Sequence, residues 1–412
     1  MNKPIKNILI LTPIYPGVGM TADATPVIHY FVKEWIELGY NVKVVRTLSV
    51  FPSIYYKIGK YIMTFLSKKE GIAMVREHFS IDGIYEYDGV EVLNVSMRKM
   101  IPHGSFSKTV LNNSIQKITG YLKSIDFIPD VIVSHWVNPS LYLSAKLKDK
   151  FQCPAVNVLH SYSNDINVFK HSDELIKAVD IWGYRSIPCL KSFEDKYGIQ
   201  LRTFRCCSGI PPIFTQTPTT RNWEKVSNVT FIGMLIARKY PDCVLGATVK
   251  SFRDAHYHLN IVGAGGLESE LKSLANSYNT ENNISFLGRV SRQEIVKLLD
   301  ETDIFAMISR EEIFGLVYLE AMARGCITIA SKNEGMEGII EDGVNGFLCE
   351  AGNENELTSI IMKIRNMTPN ERSNISIKGR ETASAYTDEN VAKNYIDSVR
   401  KFCNELSSDL TK

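Results

Sequence analysis

Glu312 and Glu320 stand eight residues apart in the stretch SREEIFGLVYLEAMARG, residues 309–325, around a Phe-Gly pair at 314–315. The preceding DIFAMIS reads as a buried strand and FGLVYLEAMA as a helix. The segment 310–315 is therefore a loop at the carboxyl end of a parallel strand, the edge where doubly wound sheets bind ligands. The amides of Gly315, Leu316 and Val317 open the helix without partners inside it. Such a helix start attracts anions, by about 0.3–1 kcal/mol and up to about 2 kcal/mol when partly buried. Two carboxylates beside an anion site repel the anion unless they are aimed at hydroxyl groups. Phosphate together with several hydroxyls is what a nucleotide sugar presents.

Other phosphate loops are weaker. VGAGGLESE follows a strand with Gly263 and Gly265 at dinucleotide spacing, but Glu268 stands where the third glycine belongs. A tight strand-to-helix turn is the better reading. Gly17 and Gly19 in YPGVGM form a lone glycine pair after the first strand, and no GxxxxGK[ST] loop occurs.

Strand-like apolar runs alternate with helix-period segments throughout, the signature of βαβ units and a parallel sheet. The first half offers NILILTP, a helix over roughly 25–38, NVKVVRT, DVIVSHW, AVNVLHS and IWGYRS. The second restarts with NVTFIGML, HLNIVGAGG, NISFLGRV, DIFAMIS, ITIASKN and GFLCEAG. Between them CSGIPPIFTQTPTTRN is rich in Pro and Thr, which is linker chemistry. The fold class is α/β: two Rossmann-like domains facing across a cleft. The expected division is an N-terminal domain 1–208, a linker 209–226, a second domain 227–385, and a C-terminal helix 386–412 that packs back on the first domain.

Bulk composition agrees. At 412 residues the chain exceeds one ordinary core, and 44% hydrophobic with 22% charged residues describes a globular protein in water. A net charge of +2 advertises no nucleic-acid partner, and the eight cysteines form no CxxC pair, as expected of reduced thiols in the cytosol. The basic start MNKPIKNILILTPIYPG has an apolar stretch of only about seven residues and no small-residue cleavage site, so it reads as a first strand. No run approaches the roughly 18 apolar residues of a membrane span. The expected location is cytoplasmic, with any membrane contact peripheral.

Several ordered motifs carry a family resemblance that runs nearly end to end. The Glu312–Glu320 stretch resembles the E-x7-E region of retaining glycosyltransferases of the GT-B fold, the family numbered four. FIGMLIARKYPD resembles that family's diphosphate-binding loop, and IVGAGGLESELK its glycine-rich turn. ISFLGRVSRQEIVKLLDETDIFAMIS and EGMEGIIEDGVNGFL resemble its following segments, and VLHSYSNDIN its first-domain histidine loop.

The resemblance implies roles. Glu312 would hydrogen-bond the donor sugar, helped by the amides around Phe314 and Gly315. Leu316 and Val317 amides would hold phosphate, and Glu320 the ribose hydroxyls. Lys239 would neutralise the departing diphosphate, the electrostatic contribution that dominates such transfers. His160 would sit near the reacting sugar, and Gly17 and Gly19 would let the first-domain loop approach the phosphates. The turn 284–290 would hold the base, with Arg289 as a stacking partner. His135 and Asp165 are weaker candidates. The plain alternatives are a solvated helix carboxylate for Glu320, a solvated loop lysine for Lys239 and a backbone-capping histidine for His160.

Two departures bear on donor contacts. Met234 stands where the family has Arg, with Arg238 beside Lys239 as a compensating, bidentate cation. Ser208 stands where the family often has Asn. No Asp-x-Asp pair occurs, so no bridging metal is implied and no cofactor beyond the nucleotide-sugar co-substrate is expected. The implied activity is sugar transfer to a glycan or lipid-linked acceptor, as in bacterial surface polysaccharide biosynthesis. The rival readings are a GT-B epimerase or phosphorylase, and a nucleotide-sugar-binding protein that has lost catalysis. Ile54, Ile58, Ile62, Phe65 and Leu66 recur at helical spacing among Tyr55, Tyr56, Lys57, Lys60, Tyr61, Lys68 and Lys69, so 54–69 is expected to meet a membrane surface or to pack as core.

Overall fold

The apolar runs become strands of two separate sheets in a computed structural model that describes residues 4–17, 26–52, 82–100, 104–160, 172–200, 202–216 and 221–409. Gly19, Asp165 and the segment 54–69 lie outside the described residues. The described chain divides into two compact units, one with the residues up to Cys207 and from Asp388 onward, the other Ser208–Thr387.

In the first unit β1 (Asn7–Thr12), β2 (Asn41–Val50), β3 (Gly83–Tyr87), β4 (Val90–Arg98), β5 (Val131–His135), β6 (Ala155–Leu159), β7 (Ile181–Tyr184) and β8 (Thr203–Arg205) form one sheet in the order β3-β4-β2-β1-β5-β6-β7-β8. Ile8 to Leu11 are fully buried, as a central parallel strand covered on both faces requires. Only β3 and β4 pair antiparallel, through a two-residue turn at Asp88–Gly89. The C-terminal helix Asp388–Asp409 belongs to this unit, as the sequence pattern leads one to expect. Trp35 Nε1 donates to Ala392 O at 2.9 Å, and the Tyr395 ring packs against Trp35, Phe31 and Phe204.

In the second unit β9 (Asn228–Ile232), β10 (His258–Val262), β11 (Ile284–Gly288), β12 (Ile304–Ala306), β13 (Ile327–Ser331) and β14 (Phe347–Cys349) pair in parallel in the order β11-β10-β9-β12-β13-β14. This is the doubly wound order, which reverses direction between its first and fourth strands. The described residues of the stretch 209–226, expected as a linker, belong to this unit. Ile210 N donates to Tyr386 O at 2.8 Å, Phe214 is fully buried, and Arg221 donates to the carbonyls of Leu299, Thr302 and Arg324. All eight cysteines are free thiols, and no described helix is long and apolar enough to cross a membrane.

Candidate active site

Reversal of the strand order sends the loops after β9 and β12 to opposite sides of the sheet, leaving a crevice at their carboxyl ends. Lys239 comes from the first loop and Glu312 from the second. The two loops are tied together: Arg310 N donates to Arg238 O at 2.8 Å, and Arg238 Nη1 to Glu311 O at 3.4 Å. Lys239 Nζ forms an ion pair with Glu312 Oε2, and the two side chains are only 10% and 13% exposed. Shielding of that degree strengthens the attraction over that of a surface pair. Local geometry delivers the lysine. Residues 237–239 make one 3-10 turn, Tyr240 turns left-handed, and Pro241 opens the helix Pro241–Ser251, so Lys239 ends the loop instead of entering the helix.

The helix Leu316–Ala323 starts at Gly315, whose φ of +77° is left-handed. A Cβ there would fall 2.3 Å from the Tyr318 ring, so a side chain is excluded on both counts. Phe314 is buried, while Leu316 and Val317 lie half-buried in the first turn. Tyr318 OH donates to Met307 O at 2.8 Å, and burial raises its pKa well above the usual tyrosine value, so it stays a donor. Glu320 is 7% exposed, which sets aside a solvated helix carboxylate; its Oε1 lies 3.8 Å from Arg292 Nη2. Arg292 opens the helix Arg292–Glu301, fixed by a capping box between Ser291 and Glu294. Arg289 is exposed just after β11, and Met234 is 37% exposed in the Lys239 loop.

The Gly263–Gly265 pair does what a tight turn needs. A Cβ on Gly263 would lie 1.8 Å from Gly233 O, and Leu235 N donates to Ala264 O at 3.1 Å, so the glycines press one loop of the crevice against its neighbour.

The first unit holds the remaining described candidates. Gly17 follows β1 at φ +134°, and Tyr85 OH donates to Pro16 O at 2.7 Å beside it. Tyr15 OH lies 2.9 Å from His29 Nδ1, and His29 Nε2 lies 3.1 Å from Asp88 Oδ2, a chain that ties this loop to the β3–β4 turn. Burial lowers the His29 pKa, against the opposing pull of Asp88. His135 Nδ1 and His160 Nε2 are 2.9 Å apart, and the His160 ring stacks on Trp136 at 3.9 Å. Burial, with the Arg185 guanidinium adding to it, holds both imidazoles well below the ordinary histidine pKa. The pair is therefore neutral at pH 7, with one imidazole N–H donating to the other nitrogen.

Two functional contacts escape a reading of motifs. Glu334 accepts hydrogen bonds from Glu311 N at 3.0 Å and Glu312 N at 2.8 Å, and Arg292 faces Glu320. The signals for Glu334 are its place just after β13, the strand beside β12, and at the head of EGMEGIIEDGVNGFL, neither of which names its partners.

The family model described as glycosyl transferases group 1 matches residues 215–382. An uncharacterized glycosyltransferase of Methanocaldococcus jannaschii is 26% identical over 288 residues, 68% of this chain and 76% of that one. The GDP-mannose-dependent monoacylated alpha-(1-6)-phosphatidylinositol monomannoside mannosyltransferase of Corynebacterium glutamicum is 31% identical over 227 residues, 50% of this chain and 58% of that one. The solved structure of Anabaena HepE in complex with UDP superposes with a TM-score of 0.68 at 16% identity, covering 96% of this chain and 100% of that one. At that identity the likeness is one of fold, the two-domain α/β fold of GT-B glycosyltransferases. The part of the chain similar to the glycosyl transferases group 1 family is thus the stretch that carries Lys239, Glu312 and Glu320.

Proposed function

We propose that this protein transfers a sugar from a nucleotide-sugar donor to a glycan or lipid-linked acceptor, with retention of anomeric configuration and without a metal. The observation that carries the reading is the shielded Lys239–Glu312 pair, drawn from the two loops where strand order reverses, beside a helix start at Gly315. A donor diphosphate fits the Lys239 ammonium and the amides of Leu316 and Val317. It competes with Glu312 for the lysine, and the displaced carboxylate turns to the sugar hydroxyls. Charge developing on the departing diphosphate meets groups already in place, which is where electrostatic catalysis has its effect. Glu320 takes the ribose hydroxyls, oriented by Arg292. Arg238 and Arg289 lie within the same unit as second cations for phosphate and base.

The solved complex of Anabaena HepE with UDP supports a nucleoside diphosphate as the ligand, and the phosphatidylinositol-mannoside enzyme supports a lipid-linked acceptor. The alternative, a nucleotide-sugar-binding protein without turnover, rests on the exposed Met234 in the Lys239 loop. Turnover of any nucleotide sugar decides between them.

The decisive measurement is thermal unfolding with UDP, GDP and ADP in the presence of EDTA. A ligand at 100 times its Kd stabilises by about 2.7 kcal/mol, so one of the three should raise Tm by several degrees. Stabilisation by none of them, or only after Mg²⁺ or Mn²⁺ is restored, would refute the proposal as written.

Glu320→Gln tests the ribose contact. The change is isosteric, so Tm should hold, while affinity for the stabilising diphosphate should fall roughly tenfold, the scale of one charged hydrogen bond. Unchanged affinity would remove Glu320 from the site.

A further inference from the structure

The loop 309–315 carries a conformational oddity. Glu311 has a φ of +54°, a left-handed conformation that is strained for a residue with a Cβ and persists only where surroundings hold it. What holds it lies in the turn just after the neighbouring strand β13. Both oxygens of the Glu334 carboxylate are used, Oε1 by Glu311 N at 3.0 Å and Oε2 by Glu312 N at 2.8 Å. The next residue, Gly335, presses on the same loop: a Cβ there would lie 2.6 Å from Phe314 O. The segment after β13 therefore clamps the loop after β12 from 311 to 314. With the backbone fixed at Glu311 and Glu312, the Glu312 side chain can reach only a limited set of positions, and the one taken is Lys239.

We propose that Glu334 is a positioning residue for the donor site, an internal anion whose carboxylate holds two consecutive amides and thereby aims Glu312. The inference rests on the donor-site reading of Glu312. It carries a corollary for ligand binding. The Glu311 and Glu312 amides are already taken by an anion of the protein's own, so donor phosphate is left to the amides after Gly315 and to Lys239. A carboxylate suits this place better than an amide side chain. It offers two acceptors to two N–H groups, whereas glutamine turns a donor towards one of them.

The test uses the full chain and two readouts. Amide hydrogen exchange at Glu311 and Glu312 is measured first, without ligand. Both amides should be protected in the wild type, and in Glu334→Gln they should exchange at least roughly tenfold faster. Glu334→Asp keeps both acceptor oxygens and should recover part of that protection. Binding of UDP, GDP, UDP-glucose and GDP-mannose is measured next. For the pair that the wild type binds, the affinity gained from the sugar should drop roughly tenfold in Glu334→Gln, while the plain diphosphate changes by less than about threefold. Exchange at the two amides that is the same in Glu334→Gln and wild type would overturn the clamp. Looser amides with the sugar increment intact would overturn positioning of Glu312. Failure of the wild type to bind any of the four ligands would sink the donor reading itself, with the exchange rates still deciding the clamp.

Discussion

Lys239→Ala should lower kcat/KM by about 10²-fold or more, on the scale of about 2.7–4 kcal/mol for one lost electrostatic stabiliser. Two effects add. The departing diphosphate loses the ammonium that meets its charge. Glu312, 13% exposed and paired with that ammonium in the wild type, is left as an unbalanced carboxylate next to the place where phosphate binds. The second effect is separable. In Lys239→Ala with Glu312→Gln the repulsion is gone, so plain diphosphate affinity should partly return while turnover stays low. The two sites are in contact, so non-additivity is expected and its sign is the result. A loss below threefold in Lys239→Ala would mean that Arg238 carries the diphosphate. Its guanidinium sits on Glu311 O at 3.4 Å, within the same pair of loops.

Much of this site is legible in the sequence because strands buried on both faces leave continuous apolar runs. NVTFI and DIFAMIS announce β9 and β12, and whatever follows them must lie at one sheet edge. That is why Lys239 and Glu312 can be placed in one crevice although 73 residues separate them. The β3–β4 hairpin is a different case. β3 is an edge strand with four exposed residues out of five, so no apolar run marks it. Its one local signal is Asp88–Gly89, with φ of +48° and +75°, the two-residue turn that requires left-handed residues. Glu334 heads the EGMEGIIEDGVNGFL segment, but nothing local tells what its carboxylate holds. Its partners are backbone amides 22 and 23 residues away, and a backbone amide has no residue type to recognise. The same reason hides the role of the 209–226 segment. Its Pro and Thr content reads as a linker, but its attachment consists of arginines reaching carbonyls.

That attachment has a large expected cost when broken. Arg221 spreads its guanidinium over Leu299 O, Thr302 O and Arg324 O, with Nη2 at 2.8 Å and Nε at 3.1 Å from the last. Leu299 lies in the last turn of the helix Arg292–Glu301, Thr302 ends it, and Arg324 ends the helix Leu316–Ala323. Helix ends leave carbonyls without partners and carry partial negative charge, so one cation caps two helices at once. Arg324 continues the chain of contacts. It donates to Phe214 O at 3.2 Å and pairs with Asp300, while Arg372 donates to Trp223 O. Arg221→Met keeps the aliphatic stem but takes a charged donor from each of three carbonyls, at about 1 kcal/mol each, so a loss of about 3 kcal/mol is expected. At roughly 2–4 °C per kcal/mol for a domain of this size, Tm should fall by about 10 °C. Because the capped helices carry Arg292 and Glu320, the same variant should weaken diphosphate binding below its unfolding temperature, though by less than Glu320→Gln does. A Tm within about 3 °C of the wild type would show that water replaces the guanidinium at these helix ends.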